Sequence, residues 1–328
     1  MAWTRTRKLA PVRADFSAAD AELAATLDNL DGADNYASWI FELIEPYLGN
    51  EVLEVGAGHG TFTEMLARTA KRVVAADLSE RCVSRLRERF SGEESVQILH
   101  GSVDSAAAHG PFDSVILINV LEHIEDDNGA LAELGQLLRP GGRVVLWVPA
   151  FSLLYSDFDR RIGHYRRYRV PELRTQLGRA GFEVRHIRYV NAVGAVAWLV
   201  LARLLRRTPT HGTAVKVFDR YFVPVLKRLE QRWRPPFGQS VLAVATRPLR
   251  ATPHQAVTRS GPATTGSGRH RWGWTTPGSA SSSPSKKRMT AARSRMVARG
   301  PLIRSFTRLA ISAILAARMS LAGWASTR

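Results

Sequence analysis

Residues 54–61 read Glu54-Val55-Gly56-Ala57-Gly58-His59-Gly60-Thr61, directly after the apolar run 52–55 and directly before the helical pattern 62–67. A strand that ends in glycines and opens into a helix suits a nucleotide-like ligand. Backbone without side chains approaches the ligand closely, and the free amides of the helix start face it. Thr61 followed three residues later by Glu64 reads as a capping box that starts the helix.

The details select the ligand. A dinucleotide fingerprint places a third glycine where this chain has Thr61. The pattern here is Gly-x-Gly-x-Gly, with Glu54 two residues ahead of Gly56. That carboxylate repels a pyrophosphate and attracts an ammonium group. Further on, the short strand 72–77 ends in Asp77, placed to accept hydrogen bonds from two ribose hydroxyls in a charge-assisted, bidentate contact. A nucleoside with an amino-acid tail describes S-adenosylmethionine.

Four blocks carry a resemblance: 54–60; 73–79 with Asp77; Phe112-Asp113-Ser-Val-Ile-Leu-Ile-Asn-Val-Leu-Glu-His123; and Leu138-Arg-Pro140-Gly141-Gly142-Arg-Val-Val-Leu-Trp-Val148. A fifth, 172–183, resembles the helix and turn that enter the sixth strand of the same family. Across 35–248 the chain resembles the seven-stranded, class I S-adenosylmethionine-dependent methyltransferases. The resemblance implies a three-layer α/β/α Rossmann-like fold with a mostly parallel sheet and an antiparallel last strand. It implies a cofactor site built from Glu54, Gly56, Ala57, Gly58, Gly60, Asp77 and Leu78. It also brings Ser102 and Val103, where an adenine-reading acid usually stands, and Asn119 and Val120 beside the sulfonium. Its implied activity is transfer of a methyl group to a small-molecule or lipid-linked acceptor.

Methyl transfer is an in-line displacement at a carbon the sulfonium already activates, so positioning supplies most of the catalysis. No cluster with metal-ligand spacing is read, and no metal is expected. A base is needed only where the acceptor arrives protonated. His123, after the fourth strand, is one candidate, against the alternative that it packs beside the strand. The segment 157–168 follows the fifth strand and concentrates His, Tyr and Arg. His164 is a second catalytic candidate, and Tyr165, Arg166 and Tyr168 are candidate substrate contacts, against a solvated basic loop.

The charge of +17 suggests nucleic acid or an anionic surface until it is divided. Residues 249–328 hold 14 of the 46 lysines and arginines and no carboxylate, so the remaining 32 face all 29 acidic residues. The basicity belongs to the tail, and nucleic-acid binding, which wants an organised basic face, is not expected. Residues 1–34 form a lead-in without an apolar signal region. A single cysteine, Cys82, precludes an intramolecular disulfide and fits a reducing, cytoplasmic compartment.

Strands are expected at 51–55, 72–76, 96–100, 113–119, 143–148, 182–190 and 239–246, with helices near 35–48, 61–69, 80–90 and 128–138. Between the last two strands lies an insert, 191–238, far longer than a hairpin requires. Its apolar run 192–205 is shorter than the ~20 residues that cross a bilayer. Val215, Phe218, Phe222, Leu226, Leu229 and Trp233 then recur at helical spacing among basic residues, and Pro224 kinks or divides the helix. This insert serves as a peripheral contact with the inner membrane surface through Phe218 and Phe222, as a lid, or as a dimer contact. The tail is low in complexity with a helical stripe at 302–324, and is either a basic anchor or the product of a shifted reading frame. Two competing functions stay open: a non-catalytic S-adenosylmethionine-binding protein, and a nicotinamide-dependent oxidoreductase, which Thr61 and Glu54 disfavour.

Overall fold

The computed structural model describes residues 32–200 and 212–249. The expected helical stripe at 302–324, the lead-in before residue 32 and part of the insert's apolar run lie outside them. Seven strands form one sheet: β1 (Glu51–Val55), β2 (Arg72–Asp77), β3 (Val96–His100), β4 (Phe112–Ile118), β5 (Leu138–Pro149), β6 (Glu183–Val190) and β7 (Ser240–Thr246). Their order is β3-β2-β1-β4-β5-β7-β6. The first five run parallel, and β7 is antiparallel to both β5 and β6. β1, β4 and β7 are buried almost throughout, the signature of strands covered on both faces.

Two hydrophobic clusters sandwich the sheet. On one face, Leu131, Leu134 and Leu137 of α4 (Asp127–Leu137) and Leu173 and Leu177 of α6 (Val170–Arg179) pack on Leu53, Val74, Leu117 and Leu146. On the other, Trp39, Ile40 and Ile44 of α1 (Asp34–Ile44) and Leu66 of α2 (Thr61–Ala67) meet Val52, Val73, Ile116 and Trp147. Alternate residues of each strand serve opposite clusters, so the period-2 pattern holds the register. α3 (Glu80–Arg89) buries Val83 and Leu86, and α5 (Asp157–Arg161) follows β5.

Local chemistry shapes the helix ends. α1 stops at Ile44 and tightens into a 3₁₀ turn over Glu45–Tyr47, because Pro46 offers no N–H. The expected Thr61–Glu64 capping box is not formed. Gly60 is the N-cap of α2, in the left-handed region at φ 83°, and Glu64 pairs instead with Arg68 and Arg89. Gly60 fills that place because a Cβ there would sit 2.7 Å from Phe90 and 2.8 Å from Leu86.

The insert contributes α7 (Ala192–Trp198), α8 (Gly212–Val217) and α9 (Val223–Arg232), the last two joined by a π-helical turn over Phe218–Phe222. Pro224 lies in the first turn of α9, so the helix is divided where one N–H is missing. The insert is tied to the domain by two buried acids. Asp219 accepts from the Asn35 amide at 3.1 Å and the Tyr36 amide at 2.8 Å, capping α1. Glu230 accepts from the Asn191 and Ala192 amides at 3.0 and 2.8 Å, at the start of α7. Phe218 and Phe222 are half-buried, stacked 5.7 Å apart, and pack against the α1 cluster. The expectation that these two rings face a membrane is therefore corrected: among the described residues of the insert, the exposed large apolar side chains are Val217, Tyr221 and Val225, at 43, 64 and 47%. No helix among the described residues is long and apolar enough to cross a membrane.

Candidate active site

The strand order reverses between β1 and β4, and the crevice beyond their carboxyl ends is where such sheets bind ligands. From β1 the chain turns through Gly56, Gly58 and Gly60, all left-handed at φ 73°, 56° and 83°. At Gly56 the requirement is also steric, since a Cβ would lie 2.4 Å from Val120 Cγ2. Gly56 and Ala57 donate to the Ala76 carbonyl at 2.8 and 3.1 Å, continuing the β1–β2 pairing into the turn. Arg89 of α3 donates to the His59 carbonyl at 2.7 Å and pins the turn from outside.

Asp77 ends β2 beside this turn. Its Oδ2 accepts from the Gly58 amide and its Oδ1 from the Ser79 amide, each at 2.8 Å. Each oxygen keeps a second lone pair, so the carboxylate is oriented by the turn while it retains capacity for a diol. Glu54 is 4% exposed and accepts from the Thr63 hydroxyl at 2.6 Å. Burial, reinforced by the Asp77 charge, pushes its carboxyl up to about 8. The two acids feel one another from adjacent strands, at one end of the glycine turn.

The remaining expected cofactor residues line the same edge. Leu78 is half exposed, and His100 contacts its carbonyl at 3.1 Å. Beyond β3, Val103 is buried and Ser102 half-buried. Asn119 follows β4 as an exposed residue at φ 54°, its amide donating to the Trp147 carbonyl at 2.7 Å. Phe151, after β5, is likewise left-handed at φ 58°. Non-glycine residues in that region are strained, and both stand at the ligand edge.

The loop after β5 folds back over the end of β4. The Tyr165 amide donates to the Glu122 carbonyl at 2.9 Å, which sets the rings of His123 and His164 4.5 Å apart and edge-on. His164 Nδ1 lies 3.0 Å from Asp159 Oδ1, and Arg167 lies 2.7 Å from the same oxygen. Although burial raises it, Asp159 is held well below the usual carboxylate range by the His164 hydrogen bond and the Arg167 charge. Burial lowers both histidines: His164 further through Arg167 and against the pull of Asp159, and His123 to about 3 with His164 adding to the effect. Burial thus favours the neutral form of both rings.

Tyr165 is 46% exposed at the mouth of this loop. Arg166 is anchored rather than open, donating to the Glu125 carbonyl at 2.6 Å and paired with Asp127 at 3.0 Å. Tyr168 corrects the expectation of a substrate contact. It is buried at 2% exposure, with its hydroxyl 3.1 Å from both the Leu121 carbonyl and Asp127 Oδ2, and it braces the loop against α4. Sequence reading missed Glu122, Asp159 and Arg167. Asp159 and His164 lie five residues apart in one segment, a legible signal, but Glu122 joins them only through the fold.

A family model described as a methyltransferase domain matches residues 5–187. A ubiquinone biosynthesis O-methyltransferase of Xanthomonas axonopodis pv. citri is 31% identical over 191 residues, covering 53% of this chain and 78% of that protein. A demethylmenaquinone methyltransferase of Clavibacter sepedonicus is 28% identical over 165 residues, covering 45% and 67%. The chain spans about half the length of several curated relatives, and 44% of one from Streptomyces fradiae. In fold it is similar to a chain of the complex between the Trm112 methyltransferase activator of Haloferax volcanii and a methyltransferase, with a TM-score of 0.51 at 19% identity over 72% of this chain and 98% of that one. The match over more than half its residues, with the glycine turn and the strand order that go with it, means that this chain belongs to the class I S-adenosylmethionine-dependent methyltransferase family.

Proposed function

We propose that this chain moves a methyl group from S-adenosylmethionine to an oxygen of a small, hydroxylated acceptor. The observation that carries the reading is the pairing of Asp77 with the Gly58 amide, which holds an acid for a ribose diol against a turn open to a nucleoside. Glu54 at the start of the same turn suits the ammonium of the amino-acid tail. The acceptor oxygen attacks the methyl carbon, and the carbon–sulfur bond breaks with its electron pair left on sulfur. S-adenosylhomocysteine departs neutral at sulfur, and the acceptor's proton passes to an imidazole of the His123–His164 pair and on to solvent. An oxygen acceptor is favoured by these two histidines and Tyr165 at the edge beyond β4 and β5, and by the O-methyltransferase names of relatives.

The quinone-pathway names of two relatives make an acceptor with a hydrophobic tail the natural substrate class. The stripe Val217, Tyr221 and Val225, with Lys216, Arg220 and Arg228 exposed beside it, suits a peripheral contact with an anionic, cytoplasm-facing membrane where such an acceptor resides. Calorimetry tests the cofactor half: S-adenosylhomocysteine should bind in the micromolar range, NAD should not, and Asp77→Ala should abolish binding. Label transfer from S-adenosylmethionine to a panel of phenols, catechols and hydroquinones tests the acceptor half. Tight NAD binding would overturn the reading, and cofactor binding without transfer to any hydroxyl would leave only a binding protein.

A further inference from the structure

We propose that Glu122, His123 and His164 form a binding site for a divalent first-row transition-metal ion, placed to receive the acceptor's oxygen. The three side chains each offer one ligand atom, all within 4.8 Å of one another. Two imidazoles and one carboxylate are a donor set such ions favour over magnesium or calcium, and three protein ligands leave a coordination position open.

The second observation is the state of Glu122. It is fully buried, and neither carboxylate oxygen finds a partner beyond its own backbone amide. His164 Nε2 faces Glu122 Oε1 across 3.7 Å. Asp159, braced by Arg167, lies 3.0 Å from His164 Nδ1, which turns Nε2 toward the Glu122 carboxylate. The His123 ring is likewise hydrogen-bonded to the Gly163 backbone. The orphaned carboxylate and the two rings converge on one point, an arrangement that a cation between them would satisfy. Carboxylate–histidine and carbonyl–histidine hydrogen bonds of this kind are how metal-ligating rings are oriented.

This inference rests on the methyl-transfer reading for its role, not for its existence. An acceptor hydroxyl bound at the open position would lose its proton more readily, and its oxygen would be held in line with the methyl group.

The test uses the full chain freed of metal with a chelator and titrated with Co²⁺, Mn²⁺ and Zn²⁺ without methyl donor. Co²⁺ should bind one per chain and develop the visible absorption of a low-coordinate, nitrogen-ligated ion. Glu122→Gln should weaken binding by about 100-fold or more, while the melting temperature holds or rises because an unpartnered buried carboxylate has gone. His164→Asn should also weaken it. If Co²⁺ binds no more tightly than millimolar, or if Glu122→Gln leaves it unchanged, the site is a proton-sharing pair and the inference is overturned. Calorimetry with S-adenosylhomocysteine on the same metal-free protein reports separately whether the cofactor reading stands.

Discussion

Glu54 couples cofactor binding to pH in a way that can be measured. Its carboxyl is buried, holds one hydrogen bond from Thr63, and is raised to about 8 in the free protein. At pH 7 the protonated form outnumbers the carboxylate about tenfold, at about 1.4 kcal/mol per pH unit. If the ligand's ammonium meets this group, binding must ionise it. The dissociation constant for S-adenosylhomocysteine should then fall about tenfold from pH 6 to pH 7 and somewhat less from 7 to 8. Nearly one proton should be released per ligand below pH 7. Titration calorimetry in two buffers of unlike ionisation enthalpy counts that proton directly.

The sign for the unliganded fold is opposite. A carboxyl that titrates near 4.5 unfolded and near 8 folded binds more protons in the folded state between those values. The free fold therefore loses stability as pH rises through this window, on the order of 5 kcal/mol in the limit. Glu54→Gln should flatten the change and leave cofactor affinity weak and independent of pH. Affinity constant from pH 6 to 8 in the native chain, with a heat indifferent to buffer, would refute the assignment of Glu54 to the ammonium.

Three further outcomes are expected. Gly56→Ala forces a Cβ at φ 73° to within 2.4 Å of Val120, so cofactor affinity should drop at least about tenfold, and adding Val120→Ala should recover part of it; no recovery would mean that backbone conformation alone decides. Tyr168→Phe should cost about 1 kcal/mol of stability in thermal melts and leave the Michaelis constant for the acceptor nearly unchanged, since the hydroxyl serves Asp127 and Leu121. Replacing Val217, Tyr221 and Val225 together by Ser in the full chain should reduce sedimentation with anionic vesicles without lowering the melting temperature, whereas Phe218→Ser should lower it. Equal vesicle binding by the triple variant would remove the membrane reading.

Much of this fold is written in short stretches. The run 52–55, the three glycines and the acid ending 72–77 specify strand, turn and ligand edge locally, because left-handed backbone and strand periodicity are properties of a few residues. Pro224 announced its interruption for the same reason, a missing N–H acting where it stands, whereas Pro46 ended α1 at Ile44 inside the stretch 35–48 expected as one helix. Other assignments needed the third dimension. Thr61 and Glu64 carry the letters of a capping box, but Glu64 is drawn to Arg68 and Arg89, the latter from the next helix. Phe218 and Phe222 have the spacing of an amphipathic face, and spacing does not say which side of a helix the domain occupies. Tyr168 and Glu122 are the sharper cases. One is a buried strut and the other a buried acid without a partner, and neither property exists until the loop after β5 crosses the end of β4. Backbone geometry is local and was legible in order along the chain. Burial and the meeting of charges separated by forty residues depend on packing, which only the folded sheet decides.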